Sequence, residues 1–192
     1  LNKNKSKLFT ETLLYDLNRK LATYKDGGIF YSGDTQLSSK QGSYNTETYL
    51  AAFKDSVVVI DSDFALRADT LTFDTDKEII YFNAPTRLKT DSAEIYTESG
   101  FYETISGKAD FIQKAQYKKG DETATADTIR LLEDQKKYLL LGQANLSDSL
   151  HSATGDIIIF SEISDQLDIY GTAHYIDYEK DQNIKADSIR YN

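Results

Sequence analysis

The sequence predicts an all-β fold: an elongated, open antiparallel barrel or jelly roll, assembled from repeats around an apolar interior. Three observations carry that prediction. The composition favours strands, one short motif returns at a nearly constant interval, and apolar residues alternate at a spacing of two around turn-forming ones.

The chain has 192 residues, with 14 Tyr and 9 Phe but no Trp, Met or Cys and a single Pro. Tyr, Phe, Thr, Ile and Val fit a pleated, half-buried surface, which is the physical basis of the strand preference. A formal net charge of −9, with no basic stripe along the chain, argues against a nucleic-acid partner. No apolar run reaches the length of a membrane-spanning helix, and no signal-like segment opens the chain. Absent cysteine removes disulfides and thiolate metal sites. A start at Leu1 with no Met anywhere predicts a processed or trimmed product. The last motif copy is cut off at Asn192, which predicts a parent chain that continues.

The repeat is the main signal. Thr10-Glu11-Thr12-Leu13-Leu14-Tyr15 aligns with Ala68-Asp69-Thr70-Leu71-Thr72-Phe73, Ala126-Asp127-Thr128-Ile129-Arg130-Leu131 and Ala186-Asp187-Ser188-Ile189-Arg190-Tyr191. The acidic position falls at 11, 69, 127 and 187. Between these copies lie Gly42-Ser43-Tyr44, Gly100-Phe101-Tyr102 and Gly155-Asp156-Ile157. The chain therefore alternates half-units of about 29 residues, within the range of stacked repeats. One helix competes, over Lys7 to Tyr24, where Leu13, Leu17 and Leu21 are spaced by four. Glu11 keeps the repeat register, so strand is expected there. With no Pro-, Gly- or Ser-rich linker, residues 1–192 are expected to form one domain.

A second column places a turn-like residue inside each alternating stretch. The sets are Phe53-x-Asp55-x-Val57-x-Val59, Tyr81-x-Asn83-x-Pro85-x-Arg87, Ile105-x-Gly107-x-Ala109-x-Phe111, Leu140-x-Gly142-x-Ala144-x-Leu146 and Ile169-x-Gly171-x-Ala173-x-Tyr175. Tyr24-x-Asp26-x-Gly28-x-Phe30 precedes them. A spacing of two puts such side chains on one face of a strand, and a central Gly, Asp or Asn accepts the positive φ of a bulge that turns a corner. Leu139 and Asp168 then face the other way. Arg87 breaks the apolar column and is expected near a rim.

These alternating A-D-[TS]-[LI]-x-[FY] and G-x-Y half-units, joined by strands that bend at Gly or Asn, resemble the OstA-like family, which includes the LptA-type periplasmic lipopolysaccharide-transport proteins. The likeness runs from about Glu11 to Tyr191. It implies a twisted β-jelly roll with a groove for acyl chains, in a periplasmic bridge of a Gram-negative envelope that serves outer-membrane biogenesis. The partners it implies are lipopolysaccharide or another acylated amphiphile and other envelope transport proteins of similar fold. The family has no short signature to transfer, so the inward column alone is carried over as candidate groove: Phe53, Val57, Val59, Tyr81, Ile105, Ala109, Phe111, Leu140, Ala144, Leu146, Ile169, Ala173 and Tyr175. Small Ala109, Ala144 and Ala173 beside large neighbours would leave room for a ligand.

Other chemistry finds little support. The acidic ladder of Glu11, Asp69, Asp127 and Asp187 suits local turn hydrogen bonds better than a Ca²⁺ site, which needs several convergent oxygens. His151 and His174 have no metal-ligand spacing around them. No nucleophile motif is present, and no carboxylate pair stands out among the 31 acidic residues. A non-enzymatic chain without cofactor or metal is expected. The alternative is a structural β-repeat with a dry core, used for assembly or protein recognition. The open strand edge at Ile189-Arg190-Tyr191, against a basic opening of Lys3, Lys5 and Lys7, predicts head-to-tail self-association.

Overall fold

Alternation is what the backbone inherits from this sequence, and the computed structural model, which describes residues 6–191, is built almost wholly of antiparallel strands. β1 (Lys7–Thr10) and β2 (Leu14–Asp16) open the chain, followed by β3 (Leu21–Tyr24), β4 (Gly28–Ser32), β5 (Thr35–Ser39) and β6 (Gln41–Asn45). β7 (Leu50–Ile60) and β8 (Ala65–Asp74) are long. Short pieces return as β9 (Ile79–Phe82), β10 (Thr86–Lys89), β11 (Glu94–Thr97) and β12 (Ser99–Glu103). Long strands complete the chain: β13 (Lys108–Lys119), β14 (Glu122–Leu132), β15 (Lys137–Ser147), β16 (His151–Ser161), β17 (Gln166–Asp177) and β18 (Gln182–Tyr191). One 3-10 turn, Glu133–Gln135, is the helical exception among the described residues. No helix there is long and apolar enough to cross a membrane.

Every second strand, or the split pair that stands for it, begins at Leu21, Leu50, Ile79, Lys108, Lys137 and Gln166, each 29 residues after the last. The repeat unit is therefore a hairpin. A residue with left-handed backbone precedes each start, at Lys20, Tyr49, Glu78, Gly107, Lys136 and Asp165. Midway, the long strands bend where two successive residues are left-handed: Asp55–Ser56, Gln113–Lys114, Gly142–Gln143 and Gly171–Thr172. The ladder shifts register at the same places, which marks them as bulges. At Gly142 the need is double: φ is +77°, and a Cβ would run into the carboxylate of Asp127 across the ladder. Elsewhere the corner interrupts the strand, as at Asn83-Ala84-Pro85 between β9 and β10, where Pro supplies no ladder N–H.

The bends divide the ladder into two layers. The first contains β1, β4, β5, β10, β11, the later half of β7, β13, β15 and β17, and the earlier half of β8, β14, β16 and β18. The second contains β2, β3, β6, β9, β12 and the complementary halves. This two-layer antiparallel roll is the predicted jelly roll. The layers meet along the row of corners and part towards the two rows of turns.

Core residues follow the period. Phe53, Phe82, Phe111, Leu140 and Ile169 are buried before successive corners, and Val57, Thr86, Ala115, Ala144 and Ala173 after them. The second set is small because the layers converge there. Tyr24 shows the limit: a Cβ on Gly28 would stand 2.7 Å from its ring. Larger rings pack against one another within and between the hairpins, with Phe30 against Phe53 at 5.6 Å and Phe82 stacked on Phe111 at 5.9 Å.

The structure corrects three sequence expectations. Tyr81 faces outward, and the inward residues of β9 and β10 are Ile80, Phe82, Thr86 and Leu88, one position later than expected. That shift also explains Arg87, which stands on the outer face rather than at a rim. Ile105 is 79% exposed, because Gly107 belongs to the turn series and the corner lies at Gln113–Lys114. Ala144 and Ala173 are small to let the layers meet, not to leave ligand space. Lys7–Tyr24 forms no helix: it holds β1, with Lys7 at its start, β2 and β3, and Glu11 lies in the bend between β1 and β2 rather than in a strand. Lys3, Lys5 and both chain ends, Leu1 and Asn192, lie outside the described residues.

Leu140 is buried whereas its neighbour Leu139 faces outward between Arg130 and Ile159. Leu140→Asp should lower unfolding free energy by roughly 3 kcal/mol or more, since a lone carboxylate is left in an apolar layer. Leu139→Lys should stay within about 1 kcal/mol. Denaturant titration compares them, and equal losses would mean the register is wrong. Asp168→Lys will not be mild, because Asp168 accepts two hydrogen bonds from Arg190, at 2.6 and 3.3 Å.

Candidate functional site

A sheet folded over on itself needs side chains to fill the wedge between its layers, and here they fill it only near the corners. Towards the turns, cavities open in sequence along the mouth. At the amino-terminal end a cavity of about 1040 Å³ lies between β1, β4 and the turns at Asp61–Asp63 and Glu78. Next comes one of about 330 Å³, floored by Phe64, Leu88, Ile95, Phe111 and Leu131. A third, also about 330 Å³, has Ala124, Ile129, Leu140, Leu146, Ile158 and Phe160 as its floor. The last, about 350 Å³, is lined by Leu146, Ala153, Phe160, Leu167, Tyr175 and Tyr191. Successive cavities share walls at Asp63, at Tyr138, and at Leu146 with Phe160. They form one interrupted groove, each part of a size typical for ligand sites.

Aromatic rings and carboxylates make its rim. Phe64, carried in by the β7–β8 turn, meets Tyr102 edge-on at 5.2 Å. Tyr138 stacks on Phe160 at 6.3 Å, and its hydroxyl donates to Glu162 at 2.9 Å. Tyr175 and Tyr191 pack at 4.9 Å near the carboxy-terminal end. Burial pushes the Tyr117 hydroxyl up to about 12, with Glu122 and Glu162 adding to it. Burial also raises Tyr138, reinforced by its bond to Glu162. Glu122 is raised by burial too; Lys119 opposes the shift, while Asp148, Asp121 and Glu162 support it. The phenols therefore stay neutral at physiological pH, presenting hydroxyls and ring faces. Asp63, Glu133, Glu162 and Asp165 outnumber Lys119 and Lys136 on this rim, which disfavours an anionic group at the mouth.

Of the residues expected to line a groove, Phe111, Leu140, Leu146 and Tyr175 do line these cavities. Phe53, Val57, Val59, Ala109, Ala144, Ile169 and Ala173 are buried in close-packed core and line none of the four. Tyr81 and Ile105 stand on other surfaces. Sequence reasoning missed the opposite strands: Phe73, Tyr102, Leu131 and Phe160 recur every 29 residues on the inward face of β8, β12, β14 and β16. For Phe73, Tyr102 and Leu131 the signal was the apolar position ending the A-D-[TS] or G-x-Y motif, read as a marker of phase and not as lining; Phe160 ends no such copy. The acidic ladder lies at exposed corners. Among the described residues no group of three or more His, Cys, Asp or Glu converges as metal ligands. His151 sits 3.2 Å from Asp148, and His174 2.9 Å from Asn183, in separate places.

Two families match the sequence. One, described as OstA-like protein, matches residues 1–69. The other, described as LptA/(LptD N-terminal domain) LPS transport protein, matches residues 36–166. No curated protein matches. A similar solved structure is that of LptH from Pseudomonas aeruginosa, the LptA homologous periplasmic component of that organism's lipopolysaccharide transport device. It is 14% identical over 71% of this chain and 82% of LptH, with a TM-score of 0.35.

Glu122 gives the groove a titratable wall. Its raised pKa means the folded chain holds this proton more tightly than the unfolded chain does. That contribution to stability is full at low pH and lost as pH rises through the raised value. Glu122→Gln removes the loss. The variant should gain melting temperature over the parent at about pH 7 relative to about pH 4. A pH-independent difference would contradict a half-buried carboxyl at this place.

Proposed function

We infer, because the chain belongs to the LptA/(LptD N-terminal domain) LPS transport protein family, that its groove carries the acyl chains of lipopolysaccharide or a similar amphiphile across the periplasm. The observation that supports this reading is the run of apolar-floored cavities opening on one side between the layers. A dry repeat core has no reason to leave such space at the same position in successive hairpins.

Affinity comes from the tails. Each methylene withdrawn from water contributes roughly 0.8 kcal/mol, so several chains bind firmly without a charged anchor. The acidic rim keeps a phosphorylated headgroup outside the mouth, in solvent or bridged by cations. Neutral phenols of Tyr117, Tyr138 and Tyr175 offer hydroxyls at the level where acyl chain meets sugar. We read residues 1–192 as a single repeat domain without catalytic function. Its ends support bridging: β1 and β2 at one end, and β18 at the other, each pair on one side only among the described residues. An unpaired edge offers N–H and C=O groups to a strand of a like-folded partner or a second copy, and a head-to-tail contact lengthens the groove.

An apolar fluorescent probe should bind the chain and be displaced by lipopolysaccharide. Ala153 lines the carboxy-terminal cavity, and Ala153→Phe fills it. Displacement of about two methylenes' worth of contact weakens lipopolysaccharide binding roughly tenfold. Thr154→Phe, on the outer face, should leave displacement intact. A folded Ala153→Phe variant that binds as the parent does would overturn the assignment.

A further inference from the structure

Some of the cations in this acidic chain are held in ion pairs. Arg19, Arg130 and Arg190 each bond a carboxylate, as do Lys77, Lys89, Lys108, Lys114 and Lys180. Arg67 and Arg87 have no ion pair among the described residues, yet the ladder sets them directly opposite each other on β8 and β10. Both are exposed and point away from the groove. Like charges directly opposite in an antiparallel pair, with Cβ atoms about 5 Å apart, destabilise the sheet. No ion pair among the described residues offsets that repulsion.

The surroundings add further positive charge. Arg87 faces Tyr96 on its other side, with its guanidinium 5.7 Å from the ring centroid, a cation–π contact that holds it in place. One row nearer the turns stand Lys89 and Lys118, with Glu94 between them bonded to Lys89 at 3.1 Å. These side chains border an outward concavity of about 690 Å³ whose lining has four cations and one carboxylate, Glu94. A surplus of three positive charges is thus gathered on one face of a chain whose formal charge is −9. Strand pairing assembles it from distant positions, so no basic stripe shows in the sequence.

We propose that this outer face is a binding site for a phosphomonoester group, held between the Arg67 and Arg87 forks. Guanidinium presents planar, paired donors that match phosphate oxygens, and two opposed forks meet a tetrahedral dianion from both sides. The dianion turns the repulsion between the arginines into attraction to a shared ligand. Lys118 adds charge at the edge, and Gln116, opposite Tyr96 in the ladder, continues the same row with neutral donors. The site uses outward-facing side chains and does not require acyl chains, although Leu88, Ile95, Tyr117 and Ala124 line both its concavity and the groove.

Two sources carry this group, a soluble phosphoryl compound and a lipid headgroup, and two arms separate them. In the first, inorganic phosphate is titrated while the arginine Nε–Hε resonances are followed by NMR. In the second, the chain is sedimented with vesicles of phosphatidic acid in phosphatidylcholine, against phosphatidylcholine alone. A phosphate response without vesicle binding assigns a soluble ligand, vesicle binding without a phosphate response assigns a headgroup, and both together assign the group itself. Arg67→Gln with Arg87→Gln should weaken the response roughly ten- to a hundredfold, as expected for lost charge-assisted hydrogen bonds. Arg67→Lys with Arg87→Lys keeps the charge, loses the fork and should weaken it in part. Lys25→Gln with Lys40→Gln removes the same charge from exposed corners and should leave it unchanged. No response in either arm, or equal weakening by the two glutamine pairs, overturns the proposal.

Discussion

The long strands β7, β13, β15 and β17 change direction halfway, and two successive left-handed residues are how each does so. An L-residue resists that backbone by roughly 1–2 kcal/mol, so a pair of them is retained only where the surrounding ladder enforces it. Here the ladder does: each bulge is clamped between neighbouring strands, and the same bend returns at Asp55, Gln113, Gly142 and Gly171. Because the bends lie in one row, one continuous ladder becomes two layers hinged along a line. Small residues after the corner and bulky ones before it then follow from the distance between layers.

The hinge also makes the groove. Side chains of ordinary size close the wedge near the corner, but they cannot close it where the layers have separated. Phe64, Tyr102, Tyr138, Phe160 and Tyr175 reach in from the two walls and divide the opening into cavities without sealing it. Apolar floor, neutral phenols and an acidic lip suit a molecule with fatty tails and a charged head that stays in solvent. The outer face is different chemistry on the reverse side of the same strands. Period-two alternation allows that, since Leu66 and Leu88 serve the core while Arg67 and Arg87 face solvent.

The repeat, the strand class and the antiparallel roll were legible in the sequence because alternation and a 29-residue phase survive without any structure. Columns anchored on glycine were placed well at Gly142 and Gly171. They failed at Gly107, because glycine also serves the hairpin turns, and the true corner there is Gln113–Lys114, which no propensity rule selects. A one-residue slip at Tyr81 had a similar source: Asn83 looks like a bulge residue, and only the buried Phe82 and Thr86 on either side show the phase. The groove was half legible. Inward-facing residues can be counted from a sequence, but which of them pack and which line space depends on the angle between layers. Arg67 beside Arg87 was not legible at all, being a consequence of strand pairing.

The central claim is that tails lie between the layers on the mouth side, and neighbouring residues on one strand can test it. A photoreactive phenylalanine analogue at Phe160 points into the groove, whereas at Ile159, one residue earlier on β16, it points outward across from Leu139 and Asp168. The same contrast holds between Leu146 and Asn145 on β15. Irradiation with lipopolysaccharide should give adducts from positions 160 and 146 and none from 159 and 145. Equal adducts from both members of each pair, or adducts confined to the outward members, would contradict a groove between the layers.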